Sequence, residues 1–66
     1  EAIASYDLAI KYKPDDADAY YNKAASLNAL GKHQEAIASY DLAIKYKPDY
    51  AGAYYNKATS LNPSVG

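Results

Sequence analysis

The sequence EAIASYDLAIKYKPD stands twice in this chain, at residues 1–15 and at 35–49, without a single substitution. Aligned at an offset of 34 residues, the segments 1–32 and 35–66 differ at only seven of 32 positions. Repetition at a fixed period of about 20 to 50 residues is typical of solenoids and repeat arrays. The duplicated sequence therefore indicates a structural unit rather than an active site that occurs twice.

Helix-breaking residues divide each copy into two helices. Pro14 and Pro48 lack an amide hydrogen and disfavour a helical residue before them, and Gly31 readily adopts the left-handed conformation that ends a helix. Four helices are predicted, at about 1–13, 17–30, 34–47 and 51–62. Carboxylates that can cap the helix after each proline follow at Asp15, Asp16 and Asp49.

Apolar and small residues recur at helical spacing in all four segments. Tyr20, Ala24 and Leu27 fall at i, i+4 and i+7 and so share one helix face. The second copy carries this stripe at Tyr54, Ala58 and Leu61. The other helix of each unit has a matching stripe, at Ala36, Ile37, Tyr40, Ala43 and Ile44 and at Ala2, Ile3, Tyr6, Ala9 and Ile10.

The composition excludes several stabilising devices and partners. The 66 residues include no Cys, so we expect neither a disulfide nor a thiolate metal site to support the thin core of so short a chain. Seven Lys against eight acidic residues, with interleaved signs, predict neither nucleic acid nor a membrane as partner. Without an apolar run of roughly 18 residues or a signal-peptide pattern, we expect a soluble protein. Its compartment stays open, with the cytoplasm favoured. Since Glu1 begins a helical pattern without an initiator Met, we expect this chain to be part of a longer protein.

The spacing of the stripe residues matches a known repeat. A family pattern W-x2-L-G-x2-Y falls on Tyr20, Lys23, Ala24 and Leu27, and again on Tyr54, Lys57, Ala58 and Leu61. A later A-x3-F falls on Ala36 and Tyr40, with the family's proline at Pro48. The chain thus resembles the tetratricopeptide (TPR) repeat, which has a period of 34 residues of helix, turn and helix. Lys23 and Lys57 depart from the family's usual Leu.

The resemblance implies an all-α fold in which antiparallel helical hairpins stack as a right-handed superhelix. Residues 1–66 would be one four-helix fragment of an α-solenoid. In the family's helix order, A then B, this chain runs B, A, B, A, so only residues 17–50 form a complete repeat. The first helix lacks its A partner and the last helix lacks its B partner.

The resemblance also implies a protein-binding surface, since A helices of the family line a concave groove that receives a peptide or partner helix. Tyrosine rings and asparagine amides suit a peptide backbone without strong charge selection. The family's carboxylate clamp is excluded, because its Lys and Asn positions hold other residues and the chain has no Arg. Carried over by position, the groove residues are Tyr21, Asn22, Ala25, Asn28, Tyr55, Asn56, Thr59 and Asn62, with Tyr50, Asp18 and Gly52 at the edge.

Alternative interpretations stay open for these surfaces. The tyrosines and asparagines of the groove can simply order the contacts between helices. Leu8 and Leu42, nearly opposite the buried stripe, are either isolated exposed residues or a contact on the convex side. The unpaired end helices predict self-association, by head-to-tail stacking or by domain swapping through the turn at Gly31. The chain would then be a structural or designed repeat unit without a ligand of its own.

Catalysis and cofactor binding are not predicted. His33 is the only His and stands in a turn, where it cannot form a His-rich zinc site. Asp15, Asp16 and Asp18 lack the six oxygen ligands and the glycine of a calcium loop, and helix capping already explains them. We therefore expect no catalytic residue, no metal and no cofactor.

Overall fold

The computed structural model describes residues 2–61, which fold into helices joined by short turns. The helices are α1 (Ala2–Tyr12), α2 (Ala17–Ala29), α3 (His33–Tyr46) and α4 (Ala51–Leu61). The all-α fold class is confirmed. The predicted ranges were about 1–13, 17–30, 34–47 and 51–62, and residues 1 and 62 of these ranges lie outside the described residues.

The turns before α2 and α4 have the same backbone geometry. In residues 13–16 and 47–50, the amide of the fourth residue donates to the carbonyl of the first at 3.0 Å, with proline in the second position. Asp16 then caps α2, because its carboxylate accepts a hydrogen bond from the Ala19 amide at 3.3 Å. Tyr50 holds the equivalent position before α4, so there the side chain is free for a different contact.

The turn between α2 and α3 depends on Gly31, whose φ of 82° lies in the left-handed region. The Gly31 amide donates to the Asn28 carbonyl at 3.0 Å, and the Lys32 amide donates to the Leu27 carbonyl at 2.9 Å. This pair of bonds is the Schellman motif, which satisfies the last carbonyls of α2. The two helices consequently reverse direction within three residues.

The helices stack in chain order. Helix α2 packs against α1 on one side and against α3 on the other, its contact with α3 being the most extensive, and α4 packs against α3. Helices α2 and α4 also touch, whereas within residues 2–61 α1 and α3 do not. We call the side on which α2 and α4 touch the inner side, and the side of α1 and α3 the outer side.

The core lies between α2, α3 and α4 and is built mainly of alanines. Tyr40 is its one large side chain that is almost fully buried, at 1% exposure. Small side chains around it let the helix backbones approach closely, as ridges of one helix enter grooves of the next. The Tyr20 and Tyr46 rings stack beside this core at 5.7 Å between centroids, which joins α2 to the end of α3. The other members of the core are Ala24, Leu27, Ala36, Ala43 and Ala53.

The stripe that is buried on α2 is exposed on α4. Leu27 is 5% exposed, but its counterpart Leu61 is 64% exposed, and Ala58 is likewise exposed although Ala24 is completely buried. Helix α3 covers the stripe of α2, whereas no helix follows α4 within the described residues. The apolar pattern is therefore present on both helices, and the neighbouring helix decides whether it is buried.

Candidate binding groove

The predicted groove residues lie on or beside α2 and α4, the two helices of the inner side. Asn22, Ala25 and Tyr55 are exposed, and the Tyr55 side chain reaches 74% exposure. Asn62 lies outside the described residues. The remaining predicted residues are partly buried, namely Tyr21, Asn28, Tyr50, Asn56 and Thr59.

Tyr21 holds α2 and α4 together. Its ring stacks on Tyr50 at 4.8 Å between centroids and meets Tyr40 at 5.8 Å in a tilted arrangement. Its hydroxyl accepts a hydrogen bond of 2.8 Å from the Asn56 side chain, which also donates to the Gly52 carbonyl at 2.9 Å. The ring is thus fixed by stacking and by a hydrogen bond, which limits its freedom to move toward a ligand.

The Tyr21 hydroxyl fits because position 52 is a glycine. A Cβ atom added to Gly52 would lie 3.3 Å from that hydroxyl oxygen, closer than most Cβ contacts in proteins. The equivalent position on α2 is Asp18, which carries a full side chain. The difference between the two copies at this position therefore allows the close contact of α2 with α4.

Tyr50 connects the turn before α4 to the first turn of α2. Its hydroxyl donates to Asp18 Oδ1 at 2.8 Å, and the Lys47 ammonium lies 4.8 Å from its ring centroid. Burial raises the pKa of Tyr50 to about 12, with the hydrogen bond to Asp18 and the charge of Asp18 adding to the effect. The phenol is therefore a neutral donor at neutral pH and stabilises the groove edge.

Three further polar side chains of the groove bond within their own region. Asn22 donates to the Asp18 carbonyl at 2.9 Å, and Thr59 donates to the Tyr55 carbonyl at 3.1 Å. Asn28 Oδ1 bonds to His33 Nδ1, which carries the proton because an amide oxygen only accepts. His33 thus connects the end of α2 to the start of α3, and among the predicted groove residues the polar side chains of Asn22 and Tyr55 stay exposed.

Two ion pairs between neighbouring helices did not enter the sequence analysis. Lys23 Nζ lies 2.7 Å from Asp7 Oδ1, and Lys57 Nζ lies 2.5 Å from Asp41 Oδ1. The spacing of 16 residues between acid and base, repeated in both copies, was a signal that was available in the sequence. These pairs occupy the position where the family usually has Leu, and they stand between α1 and α2 and between α3 and α4.

The other candidate surface is on the outer side. Leu8 of α1 and Leu42 of α3 are both among the exposed large apolar residues.

Across residues 2–61, no group of three or more His, Asp or Glu side chains is close enough to hold a metal ion. In the same range, no helix has the length and apolar character needed to cross a membrane.

Comparison with known families identifies the repeat. A family model described as tetratricopeptide repeat matches residues 17–50, which is 34 of the 66 residues and covers α2, α3 and the turn that follows. No sequence among the curated proteins matches the chain significantly. The match begins at the first residue of α2, so it takes α2 as the first helix of the repeat and α3 as the second.

Proposed function

Because the chain belongs to the tetratricopeptide repeat family, whose repeats generally mediate protein–protein interaction, we propose that it is an interaction scaffold. In this proposal the inner surface of α2 and α4 binds an extended peptide or a partner helix. The family consists of non-catalytic scaffold repeats, and the proposal assigns no chemical step to this chain. The observation that carries it is the bracing of this surface by Tyr21, Tyr50 and Asn56 while Tyr55 stays 74% exposed.

A braced surface favours binding because less conformational entropy is lost when a partner docks. Tyr21 and Asn56 hold α2 and α4 at a fixed separation through a 2.8 Å hydrogen bond. Tyr55 then offers an exposed ring with only two rotatable bonds, and Asn22 offers an amide oxygen for a peptide N–H group. Ala25, three residues after Asn22 on α2, is exposed and small, which leaves room for a ligand side chain.

The test is a peptide selected from a random display library on the wild-type chain, followed by affinity measurements on two variants. Tyr55→Ala removes the exposed ring of the groove, and we expect a loss of about 10-fold or more, as for a central aromatic contact. Tyr12→Ala is the matched control, because Tyr12 is also highly exposed, at 80%, but stands on α1. A selected peptide that loses affinity equally on both variants, or on neither, would contradict groove binding.

A second function is favoured by the exposed stripe of α4. Tyr54 and Leu61 present apolar surface whose counterparts on α2 lie against α3. We propose as the alternative that the chain self-associates as a structural repeat unit, by stacking or by domain swapping at the Gly31 turn. Molar mass from light scattering, measured across a wide concentration range, tests this independently of any peptide. A constant mass of one chain at millimolar concentration would overturn it.

A further inference from the structure

The chain carries two complementary surfaces at its opposite ends. Helix α4 exposes three of the four side chains that α2 buries: Ala51, Ala58 and Leu61 are exposed, whereas their counterparts Ala17, Ala24 and Leu27 are buried. We call this surface the tail face. On α2 the equivalent surface is covered by α3, so the structure already contains an example of what fits it.

The fitting surface is present a second time, on α1. Residues 2–12 of α1 are identical in sequence to residues 36–46 of α3. Ser5 of α1 is exposed and Tyr6 and Ala9 are partly buried, although their counterparts on α3 are all buried. Both helices have a following helix packed on them, so the difference arises from the preceding one, which α3 has in α2. We call this surface of α1 the head face.

Aromatic side chains mark where the two faces would meet. The Tyr20 and Tyr46 rings stack at 5.7 Å between α2 and α3. Their counterparts one repeat away are Tyr54, which is 51% exposed on α4, and Tyr12, which is 80% exposed on α1. Each end of the chain therefore carries one half of a stacked pair that exists complete in the interior.

From this complementarity we propose that the tail face of one chain binds the head face of a second copy, with Tyr54 stacked on the second copy's Tyr12. The inference rests on the self-association proposed above and names the surface, the register and the partner. The two faces are different, so each joint leaves one head and one tail free. Contacts of this heterologous kind add chains without closing and form open stacks.

The joint differs from the interior contact in the surroundings of the second inner-helix tyrosine, and this difference limits its strength. In the interior, Tyr21 fits against Gly52 and stacks on Tyr50. At the joint, Tyr55 meets the residues one repeat earlier in the second copy, which are Asp18 and Asp16. An added side chain at the glycine position requires Tyr55 to shift from the position that Tyr21 takes. The joint is consequently a small, weak interface, and association is expected toward about millimolar rather than micromolar concentration.

Two double variants block one end each without touching the core, because all four positions are exposed. The tail-blocked chain is Ala58→Glu with Leu61→Glu, and the head-blocked chain is Ser5→Glu with Tyr12→Glu. A matched control places the same charges on the outer face of α1, as Ala4→Glu with Leu8→Glu, where both side chains are also exposed. Far-ultraviolet circular dichroism verifies that each variant keeps the wild-type helix content.

Light scattering of these chains, alone and mixed, tests the joint. We expect the wild type and the outer-face control to rise in mass with concentration without a plateau. Each blocked variant alone is expected to remain at the 7.2 kDa of one chain. Their equimolar mixture has one free tail and one free head, so its mass should rise to twice that value and no further.

The contrary outcomes are distinct. A wild type that stays monomeric overturns the joint together with the self-association on which it rests. If the wild type associates, two results overturn the joint alone. Dimers of the head-blocked chain by itself would indicate tail-to-tail contact. Association of both blocked chains to the same extent as the wild type would indicate domain swapping. Amide NMR shifts of the wild type on dilution give an independent reading, because the joint requires changes on α1 and α4 at Ser5, Tyr12, Tyr54 and Ala58 and little change at Leu42.

Discussion

Helices α2 and α4 have nearly the same sequence and different surroundings. Residues 17–27 and 51–61 differ only at two positions, Asp18 against Gly52 and Ala25 against Thr59. Leu27 is nevertheless 5% exposed and Leu61 is 64% exposed. The comparison teaches that burial in a repeat protein depends on which neighbours a helix has, since each unit contacts only the adjacent ones.

The same comparison explains where the stability of the chain resides. Full burial of a leucine side chain contributes roughly 1.5 to 3 kcal/mol relative to leaving it in water. Leu27 makes this contribution because α3 lies over it, whereas Leu61 makes little of it in a single chain. The interior pair of α2 and α3 therefore carries a large share of the free energy of unfolding, and the two end helices depend on it.

The largest effect is expected from truncating the two leucines. Leu27→Ala removes a buried side chain and should lower the free energy of unfolding by about 2 to 5 kcal/mol. Leu61→Ala should change it by less than about 0.5 kcal/mol, since the side chain is mostly in water. Urea unfolding at micromolar concentration, followed by circular dichroism, measures both. Equal losses would show that neighbours do not decide the burial of the stripe.

A smaller effect is expected at the second tyrosine of each inner helix. Tyr21→Phe removes the acceptor of the Asn56 hydrogen bond and should destabilise the chain by roughly 0.5 to 1.5 kcal/mol. Tyr55→Phe removes an exposed hydroxyl and should leave stability unchanged. In an Asn56→Ala background the Tyr21→Phe loss should shrink, because the donor is already absent. A Tyr21→Phe loss that persists there would assign the effect to something other than this bond.

Tyr50, which replaces the Asp16 of the first copy, is expected to make the stability of the chain depend on pH. The pKa of Tyr50 is raised to about 12 from an ordinary 10, first by burial and then by Asp18. Below pH 10 the folded and unfolded chains both keep this proton. As the pH rises from 10 to 12, the unfolded chain releases it while the folded chain holds it, so this contribution to stability is lost. Tyr50 is partly exposed, so solvent screening keeps the effect modest.

Alkaline unfolding of Tyr50→Phe measures that contribution. We expect the variant to lose less stability than the wild type between pH 10 and 12, while it is somewhat less stable at pH 7 because the Asp18 bond is gone. Tyr12→Phe removes a highly exposed hydroxyl at the other end of the chain and serves as control. Parallel pH profiles for wild type and Tyr50→Phe would contradict the assignment.

The helices and their order were predictable because the signals for them are local. Pro14, Pro48 and Gly31 act on the backbone next to them, and the apolar spacing of α2 depends only on helix geometry. The fit of Tyr21 against Gly52 was not predictable, because it depends on the separation of two helices that are far apart in sequence. The apolar stripes of α2 and α4 are identical in sequence, so they likewise cannot reveal which of the two a neighbouring helix buries. Sequence thus predicts the unit, and packing decides its contacts.

The smallest effect is expected from the two ion pairs, whose coupling energies should be the same in both copies. Asp7 with Lys23 and Asp41 with Lys57 each join an outer helix to the inner helix that follows it, and the two pairs are exposed to nearly the same extent. If neighbours decide energetics, double-mutant cycles to Ala should give the same coupling for both, about 0.2 to 1 kcal/mol each because the side chains are partly exposed. Both couplings should weaken as salt is raised toward about 1 M. A coupling energy about 0.5 kcal/mol smaller for one pair than for the other would contradict this expectation. It would indicate that the end helix of the weaker pair, α1 or α4, unfolds locally before the interior does.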